Sequence, residues 1–126
     1  MDFYFNNIEK ETIENENYRK VLFTGTKMQL VVMDLKPGED IPSEVHETID
    51  QFIRIEEGEA LVRINEKEIS LKNDDVVIIP AGSQHYVKNI SSDRNLKLYT
   101  IYSPPEHKPE TIQKTKAEAD AAESEH

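Results

Sequence analysis

Between Val21 and Tyr102, apolar and polar residues alternate over stretches too short for helices. Val21-Leu22-Phe23-Thr24 and Met28 to Leu35 are rich in β-branched and apolar side chains and read as strands. Pro37-Gly38 is a turn signal. Gln51 to Glu56 reads as a strand ended at Glu57-Gly58, and Ala60 to Ile64 alternates as a half-buried strand does. Asn65-Glu66 falls where a two-residue hairpin turn belongs, and Glu68 to Leu71 returns. After Asn73-Asp74-Asp75, Val76 to Ile79 is an apolar strand closed by Pro80-Ala81-Gly82. His85 to Asn89 and Leu96 to Tyr102 complete a set of roughly eight or nine short strands. That pattern predicts an all-β domain, an antiparallel barrel or two-sheet jelly roll.

The two ends differ from the middle. Residues 1–20 are polar and mixed, with Phe3, Tyr4, Phe5 and Ile8 as candidates to pack on the barrel wall or on a second subunit. Residues 21–107 form the barrel, and 108–126 form a charged tail rich in Ala, Glu and Lys. Pro109 and Thr111 predict a helix start there, and its apolar residues are mostly Ala, so it buries little area. No internal repeat is visible.

Charge narrows the partners. The formal net charge of −10 repels phosphate backbones and anionic membrane surfaces, so nucleic acid and membrane are excluded as expected partners. Cysteine is absent, which excludes disulfides and thiolate chemistry and fits a cytoplasmic protein. Met1 to Lys10 lacks the basic start and apolar run of a signal peptide. No apolar run approaches the ~20 residues that cross a bilayer.

Two stretches carry candidate chemistry. In the first, Glu44 and His46 share a face if the segment is extended, and Gln51 opens the next strand. The second holds His85 behind Pro80-Ala81-Gly82. Two imidazoles, one carboxylate and one amide oxygen are a donor set suited to one divalent transition metal ion: Mn, Fe, Ni or Zn.

These stretches resemble the paired motifs of the cupin superfamily. One runs Gly, five residues, His-x-His, three or four residues, Glu, six residues, Gly. The other runs Gly, five residues, Pro-x-Gly, two residues, His, three residues, Asn. Gly38, His46, Gly58, Pro80, Gly82, His85 and Asn89 fall in register over about residues 28 to 102. The resemblance implies a cupin-type barrel with a metal site formed by Glu44, His46, Gln51 and His85. Three positions depart from the pattern: Glu44 replaces the first His, Gln51 the Glu, and Asp74 the Gly that opens the second motif. Glu44 restores the charge that Gln51 removes. Asp50 rivals Gln51, although the six-residue step to Gly58 favours Gln51. Asp50 to Arg54, with Lys97 to His107 downstream, is similar to small bacterial cupins often labelled mannose-6-phosphate isomerase-like.

Strand parity places Arg54 on the face away from Gln51, where it suits a salt bridge at a subunit interface. Tyr99 and Tyr102 lie on opposite faces of the last strand, so at most one lines the pocket; Tyr99 is the candidate substrate-binding residue. His107, after Pro104-Pro105, is expected at the surface or in a loop across the barrel mouth. Three functions fit. The first is a metal-dependent isomerase or dioxygenase acting on a sugar phosphate, hydroxy acid or keto acid. The second is a binding or sensor cupin with the same small-molecule pocket. The third is a metal-free cupin in which Glu44 and His85 act as acid and base. Phe52 and the aromatic N-terminal residues predict a homodimer.

Overall fold

A computed structural model describes residues 2–124. The first helix, α1, spans Ile8–Glu14. Strands β1 (Arg19–Thr24), β2 (Gln29–Leu35), β3 (Asp40–Val45), β4 (Asp50–Glu57) and β5 (Glu59–Ile64) follow. Then come β6 (Lys67–Lys72), β7 (Val76–Ile79), β8 (Gln84–Asn89), β9 (Leu96–Ser103), the two-residue β10 (Ile112–Gln113) and helix α2 (Lys116–Ser124).

Two antiparallel sheets form a jelly roll. The larger has the order β10-β1-β2-β9-β4-β7, and the smaller β3-β8-β5-β6. Alternation decides which residues face inward. Ile53 and Ile55 of β4, Leu96 and Leu98 of β9, and Val31, Met33 and Leu35 of β2 are all fully buried. They meet Ile41, Ala60, Val62, Leu71 and Val87 of the smaller sheet in one core. Among the described residues no helix is long and apolar enough to cross a membrane.

The motif glycines mark backbone constraints. Gly58 has φ +107°, and a Cβ there would stand 2.8 Å from the Asn95 carbonyl oxygen, so only glycine fits between β4 and β5. Asp74, at the glycine position of the second motif, takes φ +72° in the turn before β7. Aspartate tolerates that region better than most side chains.

Two local expectations need correction, and the N-terminal segment carries a helix: α1 forms where Asn7 caps it by accepting from the Lys10 amide. The tail helix begins at Lys116 rather than at Pro109 or Thr111, because Thr115 accepts from the Glu118 amide while Glu118 accepts from the Lys114 amide. Residues 112 and 113 instead pair with β1. Asp40 to Val45 is a strand, but it ends before His46.

Candidate metal centre

The smaller sheet sets Glu44 directly opposite His85 in the β3–β8 ladder. His85 faces inward because β8 alternates exposed Gln84, buried His85, half-buried Tyr86 and buried Val87. His46 lies in the turn between β3 and β4, so strand parity does not orient it. Instead its carbonyl accepts from the Gly82 amide at 2.8 Å. Asp50 accepts from the Ala81 amide at 2.9 Å on the same turn. The two motifs are thus tied together through Pro80-Ala81-Gly82, which brings His46 over His85 with ring centroids 5.2 Å apart.

Glu44 is the hub of the cluster. Its Oε1 lies 3.1 Å from His46 Nε2 and 3.5 Å from His85 Nε2. One donor atom from each of Glu44, His46 and His85 falls within 4.8 Å of the others. Ligands about 2.1 Å from a common ion are separated by about 3.0–3.4 Å in octahedral or tetrahedral arrangements, close to these spacings.

The far ring nitrogens are engaged as metal-binding histidines require. His85 Nδ1 is 3.3 Å from the Ser83 carbonyl, and His46 Nδ1 is 3.3 Å from Glu106 Oε2. With protons on both Nδ1 atoms, both Nε2 lone pairs would be left for the centre. Among the described residues, the buried His85 Nε2 and Gln51 Oε1 find no hydrogen-bond partner. The Gln51 amide nitrogen is satisfied by Thr100 Oγ1 at 3.0 Å, which fixes which end of the amide is left over. Orphaned acceptors of this kind fit a bound cation.

The electrostatics agree. Burial alone would raise the Glu44 carboxyl, but the adjoining His46 and His85 imidazoles outweigh it and hold the group well below the usual range. The Glu44 carboxylate beside the ring raises His46, reinforced by the charge of Glu106. Burial raises the Tyr102 phenol and the Glu106 carboxyl. Burial, aided by the charge of Arg19, pushes His107 down to about 4.

Glu44, His46 and His85 converge, while Gln51 is buried at the start of β4, cross-strand from Tyr102. Tyr99 does not join them. It faces out and stacks on Phe52 at 5.9 Å, whereas Tyr102 points inward and meets His46 edge-on at 5.9 Å. Arg54 pairs within its own chain, with Glu56 at 2.8 Å and Asp74 at 3.1 Å. Asp50 serves the turn and leaves the inner position to Gln51. His107 is not a free surface residue: Gln29 clamps the backbone of residues 106 and 107 with both ends of its amide, and the ring packs on Tyr102 at 5.2 Å. Glu106 is not among the residues the sequence singles out. It sits in irregular chain beyond β9, where no periodicity points a side chain, and only its place between Pro105 and His107 marks it.

Comparison with known proteins places these features in a lineage. The YrkC protein of Bacillus subtilis, itself uncharacterized, is 41% identical over 123 residues, which cover 93% of this chain and 66% of that protein. An uncharacterized protein of Acanthamoeba polyphaga mimivirus is 44% identical over 112 residues, 86% of this chain and 70% of its own length. The chain therefore spans about two thirds of the length of these curated relatives. A crystal structure from Bacillus halodurans superposes with a TM-score of 0.91 at 41% identity, covering 94% of this chain and 93% of that one. The family model described as Cupin domain matches residues 31–102, from inside β2 to Tyr102 near the end of β9. That span holds both motifs and all three converging donors, and on it this chain belongs to the cupin family.

Proposed function

We propose that the Glu44–His46–His85 cluster binds one divalent transition metal ion (Mn, Fe, Ni or Zn) and that the centre acts on a small oxygenated metabolite. The observation that carries this reading is the convergence of the three donor atoms within 4.8 Å, with both imidazoles oriented from behind. Gln51 Oε1 is the fourth donor in this reading, supported by its burial without a partner. When bound, the ion supplies Lewis acidity and open positions for substrate oxygens. The chain's own part is to hold the ligands and keep bulk water out. Glu106 and the Ser83 carbonyl fix the ring tautomers, while Tyr102 packs edge-on against His46. Isomerisation, as in enzymes of the mannose-6-phosphate isomerase type, and oxygenation both fall within this chemistry.

A metal-free reading also has an observation in its favour. Glu44 lies between two imidazoles and is held ionised, as a carboxylate partnering a histidine base would be. Elemental analysis of protein purified without chelator separates the two. Near-stoichiometric metal, lost on treatment with a chelator and restored by one of the four ions, is the expected result. Protein that takes up none of them rules the metal centre out. A ligand bound without turnover would identify the binding or sensor alternative.

The protein acts as a homodimer in this proposal. Cross-strand pairing lines Ile78, Phe52, Ile101, Leu30 and Phe23 in one row across the outer face of the larger sheet. Tyr4 packs on Phe23 at one end, but Ile78 at the other is 63% exposed on edge strand β7. Such a row suits an isologous contact. Light scattering should give twice the chain mass at micromolar concentration, and a monomer there refutes the pairing.

A further inference from the structure

Arg19 is a cation inside the barrel with no counter-ion in contact among the described residues. It alternates inward with Val21 on β1, pairs cross-strand with Met33, and is only 6% exposed. Nη1 donates to Gln113 Oε1 at 2.7 Å, and the guanidinium carbon stands 5.4 Å from the Tyr18 ring centroid. Nε is buried and finds no hydrogen-bond partner among the described residues. The arginine ion pairs among the described residues belong to Arg54 and Arg63, not to Arg19. A buried charge is normally paired, because an uncompensated one is strongly unfavourable.

Arg19 and Glu44 line the same cavity, of about 380 Å³, with Tyr18 and Ile41 as apolar wall and Asp120 and Glu123 contributed by α2. That size suits a small metabolite. The edge of the guanidinium left over by Gln113 carries Nε–H beside an Nη2 group, the side-on fork that matches the two oxygens of a carboxylate. Glu44, Asp120 and Glu123 around the same space disfavour a dianion such as phosphate.

We propose that Arg19 anchors the carboxylate of the ligand, so that the site takes a short hydroxy or keto acid rather than a neutral sugar or a sugar phosphate. The carboxylate sits on the free edge of Arg19, and the hydroxyl or keto oxygen faces the Glu44 side of the cavity. This deepens the metal-centre reading and rests on it only for what holds the ligand's second oxygen.

Titration calorimetry with pyruvate, L-lactate, propane-1,2-diol and inorganic phosphate tests it, on metal-loaded and on stripped protein. The wild type should bind pyruvate or lactate at least tenfold more tightly than the diol, and more tightly than phosphate. Arg19→Gln, which can keep the bond to Gln113, should lose at least tenfold for the acids and leave the diol unchanged. Arg19→Lys keeps the charge without the fork and should fall between. Equal affinity of the wild type for acid and diol, acid binding unaffected in both variants, or a preference for phosphate overturns the proposal. Circular dichroism checks folding, and if Arg19→Gln does not fold, the wild-type preference and Arg19→Lys decide. Arg19-dependent acid binding by protein that takes no metal removes the metal centre and keeps Arg19. Stoichiometric metal with no effect at Arg19 does the reverse.

Discussion

His46 Nδ1 stands 3.3 Å from Glu106 Oε2, while its Nε2 stands 3.1 Å from Glu44 Oε1. The ring is held between a carboxylate in the donor cluster and one behind it. Glu106 reaches this position because Gln29, fully buried, accepts from the amides of residues 106 and 107. A carboxylate behind a ligating imidazole fixes its tautomer and raises its basicity. Glu106→Gln should therefore weaken metal binding by about 10–100-fold with little change in melting temperature. Competition against a chromophoric chelator measures it, and an unchanged affinity would leave Glu106 without a role at the centre.

The donors should differ in weight. Removing His46 or His85 takes away an imidazole and leaves too few ligands, so His46→Ala and His85→Ala should lose metal. Gln51→Ala should weaken binding only partly. Gln51→Glu should tighten it, because a charged oxygen replaces a neutral amide. The same change should destabilise the metal-free protein, since the amide that donates to Thr100 Oγ1 would become a buried carboxylate that can only accept. Metal content by mass spectrometry, with thermal melts in chelator, reads both effects. Equal metal content in the wild type and both His variants removes the site.

Much of the scaffold was legible in the sequence, because the signals are local. Strand β7 spans Val76 to Ile79 as its apolar run predicts, and β5 and β6 meet at the turn predicted for Asn65-Glu66, where Asn65 takes φ +55°. The approach of Glu44, His46 and His85 followed from motif spacing, although parity gave the wrong reason for His46, which lies beyond the end of β3. Contacts between distant, irregular segments were not legible. Glu106 sits outside any strand, and Arg19 was indistinguishable from the charged residues of a polar N-terminal stretch. Tyr99 and Tyr102 were separated by parity, but which face is the inner one depends on the register Gln51↔Tyr102, and a register is a property of two strands.

Gly58 offers a test of the turn that joins the sheets. Its φ of +107° lies in a region costly for any side chain, and an added Cβ would press on the backbone at Asn95 and Leu96. Neither neighbour can swing away as a side-chain tip would. Gly58→Ala should cost about 2–4 kcal/mol of stability from strain and overlap together. Gly38, also at positive φ but with open space around it, should lose less on the same change. Urea unfolding of both variants compares them, and equal losses would show that the contact at Asn95 adds nothing to the backbone strain.

The His107 ring provides a pH signature of the fold. Burial, with the nearby Arg19 charge, depresses it from the ordinary 6.5 to about 4, and its Nε2 lies 3.4 Å from the Tyr102 hydroxyl. The folded state thus favours the neutral ring. Above pH 6.5 the ring is neutral in both states and contributes nothing to the pH dependence. As pH falls from 6.5 to about 4, the unfolded chain takes up the proton first, and stability drops. Each tenfold difference in proton affinity between the two states is worth about 1.4 kcal/mol, so the full drop is no more than about 3.5 kcal/mol, and the partial exposure of the ring reduces it. His46 works in the opposite sense. Its pKa is raised, so its contribution is complete below 6.5 and is lost as pH rises through the folded value. Comparing wild type with His107→Gln cancels His46, which both proteins retain. In chelator, the stability of His107→Gln relative to wild type should rise steadily between pH 6.5 and 4 and stay flat above. Parallel curves across that window would mean that the ring is solvated and does not lie against Tyr102.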